Sequence, residues 1–149
     1  MRRAGEPALA ALLLGAVLLA ACGSEGAATR PPGVTAPAGP EITFRDEGVT
    51  TTSAYDGGTA IEAVRAGAGL RITAYQGTQR SGGYAIRIER ITRAGDELRV
   101  HAAFITPAKD ALVTMALTSP AHTVSVDETA AVLVLYDTSG AERARARPR

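Results

Sequence analysis

Two stretches of apolar–polar alternation, Tyr84 to Glu89 and Leu98 to Phe104, flank a short turn-forming run, and they constrain the fold more than any other feature. In the first, Tyr84, Ile86 and Ile88 share one face and charged residues the other. In the second, Leu98, Val100, Ala102 and Phe104 lie opposite Arg99 and His101. A period of two is the signature of a half-buried strand. Arg93-Ala94-Gly95-Asp96-Glu97 between them reads as a hairpin loop. Further strand candidates are Ile42-Thr43-Phe44, Leu70 to Tyr75, Leu112 to Leu117, Thr123 to Val126 and Ala131 to Tyr136. Only Thr59-Ala60-Ile61-Glu62, with capping-box spacing ahead of Ala63 to Ala66 and glycines at Gly67 and Gly69, offers a short helix. A strand there is nearly as compatible. The expected class is all-β with room for one short helix, built as a small antiparallel β-sandwich or barrel.

Composition limits what can fill that fold. The 149 residues suit one ordinary domain, and 46% are apolar. Aromatics are only 4%, with no Trp, so Val, Ile, Leu and Ala must supply the core. The formal charge is +1, and without residues 1–21 the chain is neutral, which gives no whole-protein case for nucleic-acid binding.

The N-terminal segment carries a different signal. Met1-Arg2-Arg3 is a positive start, and Ala8 to Ala21 is apolar or Gly, the length of a signal-peptide core and short for a membrane span. It ends in Leu19-Ala20-Ala21-Cys22, which resembles the lipobox of bacterial lipoproteins. Residues 1–21 are expected to be a signal peptide, cleaved before Cys22. That sole cysteine would carry diacylglycerol and an N-acyl chain, enough acyl chain for stable anchoring where one chain is marginal. Gly23 after the cysteine points to the outer membrane of a two-membrane bacterium, or to the outer face of the plasma membrane otherwise. Residues 22–40, rich in Gly, Pro, Ala and Thr, read as a disordered tether. Residues 41–138 form the expected β-rich domain. Residues 139–149, with Arg143, Arg145, Arg147 and Arg149, read as a basic disordered tail.

The run Tyr75-Gln76-Gly77-Thr78-Gln79-Arg80-Ser81-Gly82-Gly83-Tyr84-Ala85-Ile86-Arg87-Ile88 resembles the C-terminal domain of PrcB-type lipoproteins. Ser81-Gly82-Gly83-Tyr84 stands where the family shows Thr-Gly-Gly-Tyr. Thr106-Pro107 and Ser119-Pro120-Ala121-His122 follow in the family's order, with Ala121 in place of its usual aromatic. The resemblance spans Leu70 to Val126 and implies a subunit associated with a protease complex. It marks Gly82, Gly83, Tyr84, Ser119, Pro120 and His122 as a partner-binding or structural motif.

Chemistry-bearing constellations are sparse. His101 and His122 lack HxH, HExxH or CxxC spacing, so no metal site is expected. Ser119, His122 and Asp127 crowd one short stretch and lack the G-x-S-x-G elbow of a hydrolase. Asp56-Gly57-Gly58 lacks the acidic repeat of a calcium loop, and Gly77 to Gly83 lacks the phosphate-loop pattern. The sequence therefore predicts a non-enzyme without cofactor, anchored to a membrane by lipid and binding a protein, a protease by the resemblance. In the alternative reading, a small ligand or envelope polymer binds a groove lined by Tyr55, Tyr75 and Tyr84.

Overall fold

The computed structural model describes residues 39–52 and 55–149. The expected signal peptide, Cys22 and nearly all of the expected tether lie outside the described residues. The strands are β1 (Glu41–Ile42), β2 (Arg45–Thr52), β3 (Ala60–Ala66), β4 (Gly69–Tyr75), β5 (Ala85–Ala94), β6 (Glu97–Ile105), β7 (Ser119–Val126), β8 (Val132–Tyr136) and β9 (Glu142–Ala146). A five-stranded sheet runs β1-β5-β6-β8-β9, and a four-stranded sheet runs β2-β7-β4-β3. The result is an open two-sheet all-β fold of the sandwich kind, not a closed barrel.

The predicted hairpin forms as β5 and β6, closed at Ala94↔Glu97, and its apolar faces supply six of the seventeen buried core residues. Ile86, Ile88, Ile91, Leu98 and Val100 from that sheet meet Leu70, Ile72, Val124 and Val126 from the other. Leu133 and Leu135 of β8 extend the layer. The buried core is aliphatic, as the composition requires, and Phe44 and Phe104 only border it. All pairings are antiparallel except β6 with β8, which run parallel because the chain crosses through β7 of the opposite sheet between them.

Four expectations need correction. Ile42-Thr43-Phe44 is not one strand: the chain pairs with β5 at Glu41–Ile42, leaves the ladder at Thr43 and Phe44, and pairs with β7 of the other sheet as β2. Thr59 to Ala66 is not helical: Ala60–Ala66 is β3, paired along its length with β4, because Ile61 and Ala63 alternate inward with a strand's period. Leu112 to Leu117 is not a strand. It belongs to the long connection from β6 to β7 and leaves Leu112 and Met115 104% and 88% exposed. The basic tail is not free: Glu142–Ala146 is β9. Ala144 and Ala146 pack against the core while the arginines point outward. Arg145 reaches Glu142 at 3.0 Å and Glu97 at 3.3 Å, Arg143 reaches Asp137 at 3.4 Å, and the Arg143 guanidinium lies 5.1 Å from the Phe104 ring centre. Solvent screens these exposed pairs, so they add little. The alanine face and the ladder to β8 hold the strand.

Candidate functional site

His122 sits inside β7, 1% exposed, and both ring nitrogens are committed. Its Nδ1 accepts the Ile88 N–H at 2.7 Å, where a bulge interrupts the β5–β6 ladder. That contact requires Nδ1 to be the unprotonated nitrogen, so Nε2–H donates to Asp46 Oδ1 at 2.9 Å. Asp46 lies beside a bulge in β2 and accepts the Gly48 N–H at 2.7 Å. One imidazole thus joins β2, β7 and β5 across both sheets. It does not meet Ser119 or Asp127, and the Ser119 Oγ is buried without a partner among the described residues. The sequence-adjacent trio is therefore not assembled.

The hydrogen bond from His122, and then the one from Gly48, hold the Asp46 carboxyl below its ordinary 3.8. A carboxylate depressed in the folded state stabilises above its unfolded pKa, and that stability is lost as pH falls through the folded value. Asp46→Asn is therefore expected to lose stability less steeply than wild type as pH falls below 3.8. Urea titrations across that window measure it, and parallel curves for the two proteins would contradict it.

Gly82, half-buried, and Gly83, exposed, both lie against the β6–β7 connection. The Gly82 N–H donates to the Thr114 carbonyl at 2.9 Å. A Cβ on Gly82 would lie 2.6 Å from Thr114 Oγ1, and one on Gly83 2.9 Å from Val113 Cγ1 and 3.0 Å from Pro107 Cβ. Gly83 has φ of 84°, a region open to glycine. Gln79 and Thr118 exchange both backbone bonds, at 2.7 and 3.0 Å, and the Thr118 hydroxyl donates to the Ser81 carbonyl at 2.8 Å. The β4–β5 connection is therefore a brace for the β6–β7 connection. On that brace Leu112, Met115 and Leu117 (66% exposed) stand in solvent. The sequence reading missed this apolar surface because it placed those residues in a strand. Tyr84, half-buried, leads into β5 beside it.

Pro120 lies inside β7, where a residue without an N–H should break a ladder. Its carbonyl accepts from the Gln76 N–H at 2.9 Å, and the Gln76 carbonyl takes the Thr59 hydroxyl at 3.1 Å instead of a backbone donor. Ser119 and Pro120 are thus structural in position, buried at the end of the sheet.

Of the three tyrosines expected to line a groove, Tyr55 and Tyr75 stack at 4.3 Å. A groove of about 510 Å³ is lined instead by Glu41, Glu89, Arg90, His101 and Asp137 with the turn after it. His101 stacks on Tyr136 at 5.5 Å, and burial first, then Arg90 and Arg99, lower its pKa below 6.5. Among the described residues no group of three or more His, Cys, Asp or Glu is placed to hold a metal.

Residues 71–127, from β4 through β7, match the family model for the PrcB C-terminal domain. No curated protein and no solved structure matches the chain.

Proposed function

We propose that this chain, whose residues 71–127 match the PrcB C-terminal family model, is a non-catalytic accessory subunit that binds a protein partner, a protease of the cell envelope, while lipid on Cys22 holds it to a membrane. The observation that carries the reading is the braced loop with Leu112, Met115 and Leu117 exposed. Large apolar side chains held in solvent by a hydrogen-bonded support are what a docking surface requires, since little ordering entropy is left to lose on binding.

The position of the tether supports the same reading. The Pro40 carbonyl accepts from the Arg93 N–H, so the chain joins the domain at the hairpin end of β5. The apolar loop leaves the opposite end of the hairpin, after Ile105. Strands of this length separate the two ends by about 30 Å. With the tether end toward the bilayer, the loop faces away from it, toward soluble partners.

The test is affinity purification of the tagged full-length protein from a mild-detergent membrane extract of its host. Wild type is expected to recover a stoichiometric partner, and Leu112→Ser/Met115→Ser to lose most of it. Both side chains are exposed, so the double variant should keep its stability within about 0.5 kcal/mol. Recovery of the bare protein from both samples would sink stable complex formation.

A second reading, a small polar ligand, is favoured by the groove between Glu41 and Asp137, where Arg90 Nε and His101 Nε2 are buried without partners among the described residues. It predicts a gain in thermal stability on adding ligand.

A further inference from the structure

The outer edge of β3 already holds a piece of extended chain. β3 is an edge strand of the four-stranded sheet. The Arg65 N–H donates to the Arg149 carbonyl at 3.0 Å, and the Arg149 N–H donates to the Ala63 carbonyl at 3.0 Å. The two bonds flank Val64 in the pattern of parallel strands. The Arg149 guanidinium lies 2.8 Å from Glu62 Oε1, and both side chains remain largely open to solvent. Tyr75 stands beside Glu62 and stacks on Tyr55, and its hydroxyl is held above 10.0 by burial first and then by the Glu62 charge. Val64, 52% exposed, continues the same face. The site therefore offers backbone groups for an extended segment, a carboxylate for a basic side chain and apolar surface for its stem.

We infer that the β3 edge is a strand-capture site for an extended, basic segment of a protein partner, with Arg or Lys over Glu62, and that residues 147–149 occupy it as a displaceable stand-in. The inference deepens the protein-binding reading and rests on it. Strand addition at an open sheet edge draws affinity from main-chain bonds and selectivity from the side chain over Glu62. The tethered segment competes at an effective concentration on the order of millimolar, so a partner strand must exceed that to enter.

The experiment measures binding of a fluorescent peptide with the sequence of residues 144–149, Ala-Arg-Ala-Arg-Pro-Arg, by anisotropy. The chain ending at Ala146, which keeps β9, is expected to bind it about tenfold or more tighter than the full chain. Arg149→Ala in the full chain guards against a folding defect from the deletion, and is expected to fall between the two. Glu62→Gln in the shortened chain should return binding to the level of the full chain, and a peptide with its last Arg replaced by Glu should not bind. Equal binding by shortened and full chains, or binding indifferent to Glu62→Gln, would overturn the site. Dimers of the full chain that vanish on removing residues 147–149 would overturn it in favour of exchange between two copies. Partner capture through Leu112 and Met115 is read in a separate experiment, so either idea can fail alone.

Discussion

Replacing His122 with alanine is expected to lower the unfolding free energy by about 3 kcal/mol, measured by urea denaturation near neutral pH. Two losses combine. The Ile88 N–H, which the imidazole now accepts at 2.7 Å in a buried setting, is left without an acceptor, at a cost of about 1–3 kcal/mol. The ring itself, 1% exposed, leaves a void between the sheets that β5 and β7 close only in part. Asp46 adds little to the sum, because its carboxylate returns to water without penalty. Asp46→Asn should therefore cost much less than His122→Ala, and amide exchange at Ile88 should accelerate only in the latter. A His122→Ala protein within about 1 kcal/mol of wild type would mean that water takes over the imidazole's place.

Gly83→Ala is the second large effect, about 2 kcal/mol, and its consequence reaches the proposed docking loop. The φ of 84° is strained for any side chain, and the new methyl meets Val113 and Pro107 at or under 3.0 Å. Neither neighbour can swing away as a long side chain would, so the loop from Thr106 to Thr118 must lift from its brace. The chain's sole lysine, Lys109, lies in that loop. A lysine-specific protease therefore reports on the loop through a single cut. Cleavage of Gly83→Ala is expected to run about tenfold faster than that of wild type in native buffer, the ratio expected for 1.4 kcal/mol of eased local opening. Equal rates would show that the loop holds its place without the glycine.

Much of the sandwich is legible because its central strands are strongly periodic. β4 and the β5–β6 hairpin announce themselves through alternation, and the scarcity of aromatics correctly dictates an aliphatic core. Two of the errors on strands come from opposite causes, while β2 (Arg45–Thr52), polar and lacking apolar alternation, was not anticipated at all. Leu112 to Leu117 is apolar without alternation, and apolarity alone does not supply a neighbouring strand. Its backbone instead bonds the β4–β5 connection at Gly82. Arg143 to Ala146 does alternate, with alanine inward, but charge outweighed period in the reading. The site was legible only by halves. A hydrogen-bonded, structural His122 follows from its place at the start of the Thr123 to Val126 strand signal. Its partners, 76 residues away at Asp46 and 34 at Ile88, are set by bulges that leave no local signature. The glycine pair was visible as a motif, but its role as a support for the next connection needs the distances.

The parallel pairing of β6 and β8 imposes an order on assembly. The β5–β6 hairpin can form as soon as both strands exist, from contacts close in sequence. The second neighbour of β6 arrives only after the chain has passed through the opposite sheet as β7 and returned. Until then the edge of β6 is bare, with Leu98 and Val100 beside it, and a bare apolar edge invites pairing with other chains. A polypeptide made N-terminus first is thus most vulnerable after β7 is made and before β8 follows. Residues 132–146 act as the seal, and a nascent molecule interrupted before them is expected to aggregate rather than wait.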